Sequence, residues 1–160
     1  MVKIERSFPA PASLESEAKK VSGSYEQPDV VSRLRKDFHD KCYICELKNL
    51  QDPQVEHLLP HKNGKYPERK FDWNNLFWSC SHCNGIKNQK KYDDGIIDCC
   101  KNDPELMMTF KLKDGKTEIS AKDEHNSMAV RTALLIYESF NLLNTGMPVS
   151  YTHLTLPTIA

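Results

Sequence analysis

The chain contains no apolar run approaching the ~20 residues a bilayer crossing needs, which excludes a conventional membrane-spanning helix. Its first twenty residues carry Lys3, Glu5 and Arg6 where the apolar centre of a secretory signal would begin, so the expected compartment is the cytoplasm. It has no net charge either, 22 Lys and Arg standing against 22 Asp and Glu, so nothing global marks it as a polyanion binder. No internal repeat is visible, and a repeat architecture is not expected. At 160 residues there is room for one compact domain with arms but not for two full domains.

Six cysteines are present. A reducing compartment disfavours disulfides, and paired Cys-x-x-Cys knuckles are then read as metal ligands. Cys42 with Cys45 and Cys80 with Cys83 form two such knuckles, thirty-odd residues apart. Four thiolates close a tetrahedral site for Zn²⁺, whose borderline softness suits sulfur, and leave no open position for a substrate. The expected role is a structural zinc. Cys99 and Cys100 are vicinal, cannot easily chelate one tetrahedral ion, and read as small buried hydrophobes.

The zero net charge hides an asymmetry. Residues 1–28 balance, residues 29–92 hold twelve basic against eight acidic side chains, and residues 93–160 hold six against ten. The basic excess therefore sits with the knuckles, as a polyanionic substrate would favour. This division matches the expected organisation. Residues 1–28 form an arm broken by Pro9, Pro11, Gly23 and Pro28, with Ser13 capping a short helix from Leu14 to Val21. Residues 29–92 form the core, 93–148 a C-terminal extension, and 149–160 a tail. The tail, VSYTHLTLPTIA, has neither charge nor amphipathic period and resembles translated adapter read-through, so it is expected to be non-native or disordered.

Within the core, Asp29 to Asp40 has helical spacing, with Val30, Val31, Leu34 and Phe38 on one face. Gln54 to Leu59 alternates as a strand ended by Pro60, and His61 to Asp72 is a polar loop carrying Lys62, Lys65, Arg69 and Lys70, either solvated or in contact with phosphate. Leu76 to Ser79 is a second strand, followed by the second knuckle and a polar helix from Asn84 to Lys91. In the extension, Gly95 to Asp98 is strand-like or irregular. Met107 to Leu112 and Thr117 to Ser120 form a hairpin around Asp114-Gly115, and a long helix runs from about Asp123 to Leu143.

Glu56 precedes His57 on the first strand, Asn75 stands before the second, and Asn84 follows Cys83. A lone strand histidine is more often structural, but these neighbours suggest a catalytic divalent metal beside the zinc. In this order, Cys42-x-x-Cys45, Glu56-His57-x-x-Pro60, Asn75-Leu76, Cys80-x-x-Cys83-Asn84 and Lys87 resemble an HNH endonuclease of the zinc-bearing ββα-metal type over roughly Lys41 to Lys91. The resemblance implies an α+β fold: a ββα-metal core with a four-Cys zinc, flanked by the N-terminal arm and helix and the C-terminal hairpin and long helix. It implies that His57 is the general base, that Glu56 and Asn84 hold Mg²⁺ or another divalent cation, that Asn75 braces the loop and orients His57, and that Lys87 contacts a phosphate. Glu56 stands where the family more often has Asp or His, and Asn84 where it also uses His. His61 and His82 are further metal or phosphate contacts, or exposed polar residues.

The start Ile4-Glu5-Arg6, the run Asp72 to Trp78, the segment Ile96 to Glu105 and Leu142-Leu143-Asn144 are similar to HNH proteins of Septu-type and retron-linked antiphage systems. Those act beside an ATPase, so the resemblance implies nuclease activity on nucleic acid, DNA by default, under control of an ATPase partner. The competing reading is a non-catalytic zinc ribbon that binds nucleic acid or protein. The cysteines fit both; only Glu56, His57, Asn75 and Asn84 discriminate.

Overall fold

The computed structural model describes residues 1–113 and 116–141, and the fold is mixed α+β with two small antiparallel sheets. Helix α1 spans Ala12–Ala18 and α2 Pro28–Asp37; strands β1 (Pro53–His57) and β2 (Leu76–Cys80) form the first sheet; α3 spans Ser81–Lys87; α4 is Pro104–Met107; β3 (Met108–Lys113) and β4 (Lys116–Ala121) form the second sheet; α5 spans Ser127–Asn141.

The core is built on β2, all five of whose residues are buried. Helix α2 follows the expected pattern, with Val30, Leu34 and Phe38 wholly buried, the last as its C-cap. Phe38, Tyr43 and Phe77 pack as tilted or edge-on rings with centroids 4.8–6.4 Å apart. The expected strand over Gln54–Leu59 begins one residue earlier and ends at His57, because beyond it the Leu58 amide donates to the Asn75 carbonyl as the chain turns into its loop.

The arm packs back on the domain. The Met1 ammonium pairs with Glu46, Ile4 N donates to Cys99 O, and the Arg6 guanidinium lies against the rings of Trp73 and Phe77 while donating to the Trp73 and Leu76 carbonyls. Ser13 is not the cap of α1: Pro11 occupies that position, and Ser13 N and Oγ both donate to Asp29, fastening α1 to α2. Gly23 comes so close to α1 that a Cβ there would lie 1.9 Å from the Glu17 carbonyl oxygen, so only glycine fits.

The extension also joins the core. Ile97 N donates to Thr132 Oγ1 and the Tyr92 hydroxyl to Glu138, so the irregular segment Gly95 to Asp98 is sewn to α5 rather than forming a strand. Helix α5 starts later than its spacing suggests because Asn126 Oδ1 accepts the Ala129 amide and caps it. Its expected end at Leu142 and Leu143, the Asp114-Gly115 turn and the tail lie outside the described residues. No described helix is long and apolar enough to cross a membrane.

Candidate metal centre and cleft

The four knuckle cysteines come together. Their sulfurs all lie within 4.8 Å of one another and all four residues are buried. The Cys45 and Cys80 sulfurs are 3.9 Å apart, against about 3.8 Å for the edge of a tetrahedron with Zn–S bonds of about 2.3 Å. Burial opposes charge on Cys42, but hydrogen bonds from the Cys45, Cys80 and Cys83 thiols outweigh it and hold Cys42 well below the ordinary thiol range. The cluster could hold a metal ion such as zinc, and it is the group of three or more such ligands found among the described residues. Cys99 and Cys100 stand apart from it, Cys99 buried and Cys100 beside Arg6 at 3.5 Å.

The second knuckle does not precede the helix as the spacing suggests. It forms the first turn of α3: Cys80 is the N-cap and its sulfur accepts the Cys83 amide. Sulfur thus takes up one of the amides that every helix start leaves unpaired, and the helix begins at Ser81 instead of Asn84.

A cleft of about 680 Å³ lies where β1, its following loop and the end of α3 meet. Glu56, His57, Asn84 and Lys87 all line it. Asn75 does not; it is buried behind the loop. Asn75 Nδ2 donates to Leu59 O (2.9 Å) and Arg69 O (3.0 Å), and its Oδ1 accepts Leu59 N (2.8 Å), so one amide ties together the two ends of the loop. The next carbonyl after Arg69, that of Lys70, is 3.0 Å from His57 Nε2. A carbonyl can only accept, so Nε2 carries the proton and Nδ1 is left with its lone pair. Asn75 therefore positions His57 through the Arg69-Lys70 backbone.

The His57 ring meets Tyr25 edge-on at 4.6 Å and His61 at 4.8 Å. Burial lowers its pKa from 6.5 to about 4; the Lys70 carbonyl opposes this, and His61, Lys87 and Lys70 add to it. His57 is thus neutral in the folded protein down to mildly acid pH. Between pH 6.5 and about 4 the unfolded chain binds a proton at this position that the folded chain does not. Stability is expected to fall as pH is lowered through that window and to be unaffected by His57 above it. An NMR titration of the His57 ring without added magnesium checks this, and a midpoint near the ordinary value of 6.5 would contradict it.

Glu56 is 5% exposed, and each of its carboxylate oxygens accepts one hydrogen bond. The Tyr43 hydroxyl donates to Oε2 (2.6 Å) and the Lys87 ammonium to Oε1. Burial raises the Glu56 carboxyl pKa, and Lys87 pulls in the other direction. Lys87 itself, 6% exposed, also donates to the His57 and Leu58 carbonyls at 2.9 and 3.0 Å, so its three N–H bonds are all used inside the protein. The expectation that Lys87 contacts a phosphate is corrected here: the lysine clamps α3 onto the end of β1.

The carboxylate and amide oxygens of Glu56 and Asn84 suit a hard divalent cation, and each Glu56 oxygen keeps one lone pair beyond the bond it accepts. Lys87 is nevertheless a cation already held at that carboxylate, so a second one enters in competition with it. His82 is not an exposed polar residue; it is buried against α5, with Nε2 3.1 Å from Ser139 O. His61 lines the cleft, and its buried Nδ1 has no hydrogen-bond partner.

Three participants are not apparent from sequence spacing, and a fourth, Lys62, is legible only as one of four basic residues in a polar loop. Tyr25 comes from the arm, Tyr43 sits inside the first knuckle, and Lys62 and Asp93 form an ion pair at 2.8 Å on the cleft. Tyr43 had one legible signal, its place between two metal-ligand cysteines; the others depend on long-range packing.

The fold and site define a ββα unit carrying a four-thiol centre beside a histidine-containing cleft. No protein-family model matches the chain, and no curated protein matches it.

Proposed function

We propose that the chain is a metal-dependent HNH endonuclease that hydrolyses phosphodiester bonds in nucleic acid, DNA in the first instance, with the four cysteines holding a structural zinc. The observation that carries this reading is the state of His57: its Nε2–H is committed to the Lys70 carbonyl, its Nδ1 is free, and its ring lines a cleft shared with Glu56 and Asn84.

His57 Nδ1 takes the proton of a water molecule as that water attacks phosphorus, and the neutral form needed for this is the one that burial favours. Asn75 keeps the imidazole at the required angle by tying down the loop that supplies its acceptor. Glu56 and Asn84 would hold the divalent ion, Mg²⁺ by the hardness of their oxygens, which when bound supplies Lewis-acid stabilisation of charge on the phosphate and the departing oxygen. Tyr43 fixes the direction of the Glu56 carboxylate from the other side.

The further placement of the chain in an antiphage system, working beside an ATPase, rests on the likeness of Ile4 to Arg6 and of Asp72 to Trp78 to such nucleases. One observation favours the second reading, a zinc-ribbon binding module without catalysis: both Glu56 oxygens already accept strong internal hydrogen bonds.

His57→Ala separates the two. Loss of Mg²⁺-dependent plasmid cleavage by at least about a hundredfold, with zinc content and melting temperature unchanged, is expected for a general base. Cleavage equal to that of the parent protein would remove His57 from the chemistry and leave the binding module.

A further inference from the structure

With Lys87 committed internally, Lys62 and Lys90 are the other lysines lining the cleft, and Lys62 is the one held by an ion pair across it. It lies on the loop after β1, lines the cleft beside His61, and is 40% exposed. Its backbone is in the left-handed region (φ 48°), as are those of Asn63 (51°) and Gly64 (90°). Asparagine and glycine visit that region readily but lysine does not, so the Lys62 backbone is held there by the loop against local preference. The loop is held by Tyr66 N donating to His61 O and by Arg69 Nη1 donating to Pro60 O.

Its partner, Asp93, is 25% exposed and comes from the other side of the cleft, in the segment after α3. That segment is anchored, because the adjacent Tyr92 hydroxyl is bonded to Glu138 of α5. The ion pair therefore ties the β1–β2 loop to the segment after α3 across the cleft. A carboxylate held by an ammonium at 2.8 Å occupies the place a phosphate oxygen would take. Partly exposed pairs of this kind shift an equilibrium by no more than about fivefold, small enough for a phosphate to replace the carboxylate.

We infer that Lys62 is a phosphate contact of this cleft and that Asp93 is its internal competitor, an exchangeable latch that a nucleic-acid backbone must displace to reach it. The inference rests on nucleic acid being the ligand of the cleft, and it extends the nuclease reading by naming which charge admits the substrate and which resists it. Asp93 acts through Lys62, so its effect disappears when Lys62 is removed.

The test is a double-mutant cycle on binding, measured by fluorescence anisotropy with a fluorescein-labelled 20-nucleotide DNA, single-stranded and as a duplex, without added Mg²⁺. Asp93→Asn is expected to tighten binding about two- to fivefold, the range that a pair of this strength allows. Lys62→Gln is expected to weaken it and to reduce the slope of log K against log salt by about 0.7–0.9, the loss of one phosphate contact. In the Lys62→Gln background, Asp93→Asn is expected to change nothing. Equal tightening in both backgrounds would reduce Asp93 to a general repulsive charge and overturn the latch. So would unchanged affinity in Asp93→Asn, or no binding of either DNA by any of the proteins. Plasmid cleavage is scored separately. The binding cycle with no cleavage leaves the latch standing and refutes the nuclease; cleavage with no effect of Asp93→Asn does the reverse.

Discussion

Cys45→Ser is expected to abolish zinc binding and with it the cooperative unfolding transition of the chain, whereas Cys100→Ser is expected to leave both intact. The first change removes one of four sulfurs that lie within 4.8 Å of each other; the second touches a thiol outside the cluster. The size of the effect follows from what the metal joins. Cys42 and Cys45 precede β1, while Cys80 and Cys83 form the junction of β2 with α3, so one ion would fasten both edges of the ββα unit. Structural zinc contributes about 10–16 kcal/mol in small folds, comparable to the whole stability of a domain. Removing the metal leaves four buried, crowded thiols, and it loosens Tyr43, which lies between two of the ligands and holds Glu56. Metal analysis should give one zinc per chain for the parent protein and for Cys100→Ser. A chelator-treated protein that melts at the same temperature as the untreated one would show that the sulfurs pack without an ion.

Lys87→Met is expected to destabilise the protein by about 3–5 kcal/mol, more than a surface substitution, because it leaves the buried Glu56 carboxylate without its cation and two carbonyls without a donor. For a chain of this size that corresponds to a fall in melting temperature on the order of 10 °C. Replacing both partners, as in Lys87→Met with Glu56→Leu, is expected to recover part of the loss, since an apolar pair avoids the uncompensated charge. Chemical denaturation of the two variants measures the difference. A single mutant within about 0.5 kcal/mol of the parent would mean that Lys87 is not held as the structure has it, and would return it to the role of phosphate contact.

The thiol pairing, the strand–loop–strand–helix order and the place of His57 on the first strand are legible because each depends on spacing over a few residues, Cys-x-x-Cys geometry, alternation in Val55 to His57, and the Pro60 and Gly64 breaks; that His57 ends the strand instead of lying within it is not. Helix boundaries were less so. Cys80 caps α3 with a sulfur, and nothing in a propensity pattern anticipates a knuckle cysteine doubling as an N-cap.

Side-chain roles at the cleft divide in the same way. Asn75 was expected to brace the loop, and its three hydrogen bonds do so. Lys87 and His82 were expected at the surface as contacts or solvated polar groups, and both are buried. Their partners, Glu56 and Ser139, lie 31 and 57 residues away in the chain. A long side chain with a terminal charge has the same local sequence signature whether its head meets water or a buried carboxylate.

By itself, then, the sequence determined which residue types this protein brings to its two sites, because metal-ligand and strand periodicities are local and carry their own geometry. Only the tertiary structure decided which of those charges are free. That choice depends on long-range packing: Tyr43 and Lys87 close on Glu56, Tyr25 covers His57, and Asp93 reaches Lys62 across the cleft. A buried charge must find its counter-ion in space, and sequence distance places no limit on where that partner comes from.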